Sequence, residues 1–176
     1  VDGKLVVMGG ENGAGASLSS VECLDLEQGQ WLEVAPMITP RENHGAAVLG
    51  GKIYVAGGDP VYTVGTLVES FDAATNQWTA VTPMNTSRTW HGLVSAQGKL
   101  FAVGGVNQDG YLNSVECFDP STRVWSNIAA LSTARETQAV AVLGDKLYAI
   151  GGRDSQRQCL DRAAPQLQRL RSVACS

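Results

Sequence analysis

The chain has 176 residues, 44% of them hydrophobic, and a formal net charge of −4. That is enough apolar material for a core, and no run of about 18 apolar residues is present to cross a bilayer as a helix. Residues 1–152 hold eight basic and fifteen acidic residues, a net −7, while residues 153–176 hold five arginines and two aspartates, a net +3; the acidic body argues against nucleic acid as a partner.

The first ten residues, VDGKLVVMGG, read as one apolar strand closed by Gly9-Gly10. They carry no signal or targeting pattern and no initiator Met, so the chain is expected to be a fragment. Residues 44–58, HGAAVLGGKIYVAGG, read as two short strands joined at Gly50-Gly51 and ended by Gly57-Gly58. Two glycines between apolar runs are a hairpin signal, because the tight turn needs positive φ. The stretch returns as HGLVSAQGKLFAVGG, ending in Gly104-Gly105, and as QAVAVLGDKLYAIGG, ending in Gly151-Gly152.

Other residues keep this step. Trp31, Trp78 and Trp125 are 47 apart, as are Arg41, Arg88 and Arg135. Val-Glu recurs at 21-22, 68-69 and 115-116, followed by Leu24-Asp25, Phe71-Asp72 and Phe118-Asp119. A period of this length indicates a solenoid, propeller or array. In the second unit the strand runs fall at 44–49, 52–57, 67–72 and 77–81, with almost no helix signal. Four short strands per unit make a propeller blade, and a blade lying between neighbours needs apolar residues on both faces. The Trp falls on the outer strand, where it can fill the space between blades.

The chain therefore predicts an all-β fold, an open arc of about three and a half four-stranded antiparallel blades. Residues 1–34 form a partial blade, 44–81 and 91–128 whole blades, and 138–152 the first half of another, before a non-repeat tail at 153–176. Six blades of this period need roughly 280 residues, so the rest of the ring is expected in a longer parent. The tail lacks the Val-Glu and Trp that the period requires. It is expected to arise from an alternative exon or frame change, or else to be a divergent blade; Leu160, Leu167 and Leu170 have the spacing of a short surface helix.

The Gly-Gly pair, the acidic residue and aromatic-Asp that follow, and the Trp six residues after the Asp resemble the kelch repeat. The Pro-Met…Arg-x-x-His-Gly segment resembles the BTB-kelch, or kelch-like, proteins in particular. The resemblance covers residues 1–152; Leu24, Phe71 and Phe118 stand where the family often has Tyr. It implies a substrate-recognition propeller that presents proteins to a cullin-RING ubiquitin ligase, through a BTB domain absent from this chain. A cytoskeletal module binding actin is the alternative, and a kelch-built oxidase or sugar isomerase a third.

The residues themselves point to no catalytic centre. His44 and His91 are repeat equivalents with Gln138 in the third copy, and a zinc site needs three or four convergent ligands. No Ser-His-Asp set, phosphate loop or copper ligand set is legible, so no enzyme activity, metal or cofactor is expected. Cys23, Cys117, Cys159 and Cys175 form no CxxC and are read as thiols of a cytoplasmic protein, with the nucleus as the other compartment, and no membrane partner is expected.

Loops that differ while a framework repeats are how a recognition surface is built. By the resemblance, partners dock on the face made by residues 11–19, 59–66 and 106–113 and by the inter-blade residues 36–43, 83–90 and 130–137. The candidate contacts there are Arg41, Asn43, Tyr62, Arg88, Trp90, Asn107, Gln108, Tyr111 and Arg135, with the arginines drawing in an acidic peptide. Each arginine follows a glutamate by 19 residues (Glu22, Glu69, Glu116), which leaves open a structural ion pair within or between blades.

Overall fold

A computed structural model describes residues 3–156 and the backbone of 166–169. Three strands, β1 (Leu5–Met8), β2 (Val21–Asp25) and β3 (Gln30–Val34), form the first sheet in chain order. The second sheet is β4 (Gly45–Leu49), β5 (Lys52–Ala56), β6 (Val68–Asp72) and β7 (Gln77–Val81). One helical turn, α1 (Val61–Val64), lies between β5 and β6. The third sheet is β8 (Gly92–Ala96), β9 (Lys99–Val103), β12 (Val115–Asp119) and β13 (Val124–Ile128). A small hairpin, β10 (Val106–Asn107) with β11 (Gly110–Tyr111), interrupts it in the loop that matches α1. The fourth sheet is β14 (Ala139–Leu143), β15 (Lys146–Ile150) and β16 (Gln166–Arg169). All pairings are antiparallel, as in propeller blades.

Local chemistry explains the hairpins. Gly50 (φ 58°) and Gly51 (φ 78°) both take positive φ, the twist that matches two flanking strands. The aromatic-Asp signature closes the outer turns: Asp72 Oδ1 accepts the Ala74 N–H, and Asp119 Oδ1 accepts the Ser121 N–H. The repeated lysine lies beside it, with Lys52 Nζ 3.1 Å from Asp72 and Lys99 Nζ 2.6 Å from Asp119.

The core lies in the wedges between sheets. Ala56 and Val68 of the second sheet meet Leu100, Phe118 and Trp125 of the third, with Met84 of the linker between them. Phe101, Val103 and Cys117 of the third meet Leu147 and Ala149 of the fourth. Each Trp also anchors its sheet to the one before: Trp78 Nε1 donates to Ala35 O at 2.8 Å, and Trp125 Nε1 to Thr82 O at 2.9 Å. Each stacks on its own sheet's phenylalanine, with ring centres 5.1 Å apart in Phe71–Trp78 and in Phe118–Trp125. Trp31 is left exposed on the first sheet.

Two local features differ from the sequence reading. The 59–66 loop holds the turn α1, since residues 61–64 cap no strand and close Val64 N–H onto Pro60 O. In the tail, Leu167 lies in β16 rather than in a surface helix, and Leu160 and Leu170 lie outside the described residues. Cys159 and Cys175 also lie outside them; neither Cys23 nor Cys117 is in a disulfide.

Candidate partner-binding face

The linkers between sheets hold the predicted arginines, and the structure buries all three. Arg41 and Arg88 are 0% exposed and Arg135 is 1% exposed. The Arg88 backbone belongs to the second sheet's loops: its N–H donates to Gly65 O and its carbonyl accepts from Gly58 N. Its side chain reaches the third sheet, donating to Gly104 O at 2.7 Å and to Glu116 Oε1 at 2.8 Å. Arg41 repeats this one blade earlier, with Gly57 O at 2.8 Å and Glu69 Oε1 at 2.5 Å. The glutamates also cap the linkers, Glu69 accepting from Ile38 and Thr39 N–H and Glu116 from Asn85 and Thr86 N–H.

Arg41 and Arg88 therefore each pair with the glutamate of the following blade. Buried and ion-paired this way, with only the Nε of each lacking a hydrogen-bond partner among the described residues, Arg41 and Arg88 present no charge to an acidic peptide. Burial lowers the proton affinity of the Arg88 guanidinium, and Glu116 opposes that shift. Arg135 keeps one contact, to Gly151 O at 2.8 Å, and its Nη2 finds no hydrogen-bond partner among the described residues.

Gly57 and Gly104 are fixed by the same linkers. Both have positive φ, and a Cβ on either would collide with the carbonyl of Arg88 or Arg135. His91 and Gln138 pack against them at the inner ends of the sheets. Gln138 Nε2 donates to Val103 O at 2.6 Å. Burial, then nearby Arg41, holds the His44 imidazole down at about 4, and His91 is likewise lowered well below its ordinary value, by burial and then Arg88. Among the described residues no three His, Cys, Asp or Glu side chains gather to hold a metal.

The mouth of the arc is stitched by backbone. Trp90 N–H donates to Asn43 O at 3.0 Å, and Thr137 N–H donates to Trp90 O at 2.9 Å. Asn43, Trp90 and Thr137 share φ values of 54°, 55° and 53°, a left-handed conformation imposed by that ring of contacts. The Trp90 side chain remains 43% exposed beside them.

The other expected contacts divide. Tyr62, on α1, is 80% exposed, and with Gln108 it lines a shallow cavity of about 120 Å³ between the loops of the second and third sheets. Tyr111 is half-buried, its hydroxyl 3.4 Å from Glu136 Oε1. Asn43 Nδ2 donates to Asp59 Oδ2 at 3.0 Å, and Asn107 Oδ1 accepts Asp109 N–H, so both amides serve the loops themselves. A larger groove of about 530 Å³ runs between the first and second sheets' loops, lined by Ser17, Pro40, Pro60, Thr63, Val64 and Leu67.

Sequence reasoning did not place carboxylates at this face. Glu42 and Asp59 exchange backbone hydrogen bonds, Ser17 Oγ donates to Glu42 Oε1 at 3.3 Å, and Glu11 lies close by. Desolvation, then the Glu11 charge, raises the Glu42 carboxyl above its ordinary value. Every basic residue in the six loop segments is one of the buried arginines, so the exposed charge there is negative. Counting acids and bases in those segments would have found this signal.

Comparison with known proteins agrees with the fold. The KLHDC2/KLHL20/DRC7 Kelch-repeats domain matches residues 1–161. Kelch-like protein 23 of Pongo abelii is 41% identical over 66 residues, 38% of this chain and 11% of that protein. Kelch-like protein 30 of Homo sapiens is 39% identical over 61 residues, 33% of this chain and 11% of that protein. The Influenza virus NS1A-binding protein homolog of Xenopus laevis is 47% identical over 58 residues, 33% of this chain and 9% of that protein. The matched stretch thus spans about a tenth of the length of these relatives.

Proposed function

The chain belongs to the kelch-repeat family, and from that premise we propose that it recognises a protein partner on its loop face. The kelch repeats of kelch-like proteins support an interaction module in general. One observation carries the reading: the side bearing the loops that differ between repeats leaves the large rings of Tyr62 and Trp90 open to solvent. Such rings anchor interfaces at low entropic cost. The neighbouring charge is carboxylate, from Glu11, Glu42, Asp59 and Asp109, so the partner segment is basic and not the acidic one expected from the arginines. A Lys or Arg side chain placed beside Glu42 would relieve its repulsion with Glu11.

By likeness to kelch-like proteins, the fuller role is that of a cytoplasmic adaptor presenting this partner to a cullin-RING ligase, with the BTB domain supplied outside the residues described. Selection of a displayed random-peptide library on the whole chain tests the recognition. Enriched peptides should carry Lys or Arg next to an apolar residue, and Trp90→Ala and Tyr62→Ala should each reduce capture. Enrichment of acidic peptides, or capture indifferent to both variants, would overturn the reading.

A further inference from the structure

The three wedges between sheets are built to one plan but filled differently. At one repeat position on the second strand of a sheet, the side chain points into the wedge toward the next sheet. The second sheet puts Tyr54 there, against the core shared with Leu100, Phe118 and Trp125. The third puts Phe101 there, against Leu147 and Ala149. The first sheet puts Val6 there. A valine in place of an aromatic ring leaves the wedge underfilled, and a cavity of about 330 Å³ opens at this place. Val6, Cys23 and Val34 of the first sheet line it, facing Ile53 and Phe71 of the second, with Lys4 exposed at its mouth. Trp78, which closes this wedge, is correspondingly less buried than Trp125 in the next one.

We propose that this cavity is a binding site for a single-ring aromatic molecule of the toluene and phenol class, whose ring takes the place that Tyr54 and Phe101 fill in the other wedges. The site is separate from the loop face. Its volume lies near the lower end of the roughly 300–1,000 Å³ of ligand pockets, and a dry apolar cavity of about 150 Å³ already holds a benzene ring. The lining is mainly apolar, from strands of two sheets and from Ala73, Ala74 and Asn76 of the turn between β6 and β7, and the sheets are held in register by the Trp78 Nε1 bond to Ala35 O and the Asn76 Oδ1 acceptance of Ala35 N–H. The bound ring would touch both sheets and so tighten the first sheet onto the second.

The whole chain is titrated with toluene and with phenol. Two quantities are followed: the thermal midpoint, and the rate at which N-ethylmaleimide modifies Cys23, read by peptide mass spectrometry. Both probes should raise the midpoint saturably, with dissociation constants on the order of millimolar, and slow Cys23 modification several-fold. Val6→Phe should raise the midpoint without ligand and remove both responses. Tyr54→Val, which opens the matching space in the next wedge, should double the number of rings bound. Cys23 modification unaffected by saturating probe, or a Val6→Phe chain that still responds fully, would overturn the proposal. Should Val6→Phe fail to fold, Cys23 protection in the unaltered chain and the stoichiometry of Tyr54→Val decide the matter, unchanged values counting against the site.

Discussion

Arg88 Nη2 donates to Glu116 Oε1 at 2.8 Å, with both side chains fully buried, and the bond crosses from one sheet to the next. The Arg88 backbone is bonded to the second sheet's loops and its guanidinium to the third sheet, so one residue ties two blades together. Removing one partner of such a pair leaves an uncompensated charge in the interior. Arg88→Ala should therefore lower stability by about 3–5 kcal/mol in a urea or thermal melt. Trp90→Ala and Tyr62→Ala, at exposed positions, should leave the midpoint nearly unchanged. A stable Arg88→Ala chain would show that the pair is dispensable.

The third arginine offers a complementary gain. Ala149 pairs with Gln166 in the register where Ala102 pairs with Glu116 and Val55 with Glu69. Gln166 thus stands at the register position that the glutamates hold in the second and third sheets. Gln166→Glu should raise stability by roughly 1–2 kcal/mol, the worth of a charged hydrogen bond, and the gain should vanish in an Arg135→Met background.

Acid should weaken the fold before the carboxylates titrate. His44 is held at about 4, against an ordinary 6.5, and His91 is lowered as well. Both are neutral in the folded chain, so below pH 6.5 the unfolded chain binds protons that the folded chain does not. Stability should fall as pH drops from about 6.5 to about 4, with His44 alone contributing on the order of 3 kcal/mol across that window. Gln138 fills the same place in the third copy without a titrating group. His44→Gln and His91→Gln should flatten the dependence, measured as denaturation midpoints across the range; an unchanged slope would assign the acid sensitivity to other groups.

Lys52 and Lys99 open β5 and β9 just after the hairpin turns, at the far end of the strands, paired with Asp72 and Asp119. Lys52→Ala and Lys99→Ala should leave partner capture intact while Trp90→Ala reduces it. Equal losses would put the interface elsewhere on the arc.

The end sheets leave apolar side chains open, among them Leu5 and Val7 on β1 and Leu143 and Ile150 on the fourth sheet. Strand β1 is bonded on one side only among the described residues. Purified alone, the chain should self-associate with rising concentration, measured by light scattering after size exclusion. A monodisperse monomer with one cooperative melt would show that the arc is self-sufficient.

The repeat in the sequence determined the blade plan. Strands expected at 44–49, 52–57, 67–72 and 77–81 lie within a residue of β4 to β7, because glycine turns and period-locked apolar runs are local signals. Trp78 and Trp125 were also legible as wedge fillers, since a large aromatic recurring in phase on an outer strand needs a neighbour to cover it, whereas Trp31 stays exposed with no preceding sheet among the described residues. The partner of each arginine was not legible. A glutamate lies 19 residues before each arginine and, for Arg41 and Arg88, another lies 28 after, and both separations recur with the same period of 47. Only the docking of one sheet on the next chose the second, and that choice buried the arginines and left a carboxylate-bearing loop face. The turn α1, the β10–β11 hairpin and the place of β16 likewise depended on tertiary contacts, because their residues carry no repeated signal. The cavity beside Val6 has a mixed origin: the repeat aligns Val6 with Tyr54 and Phe101, but only the docked second sheet shows that the missing ring leaves open space.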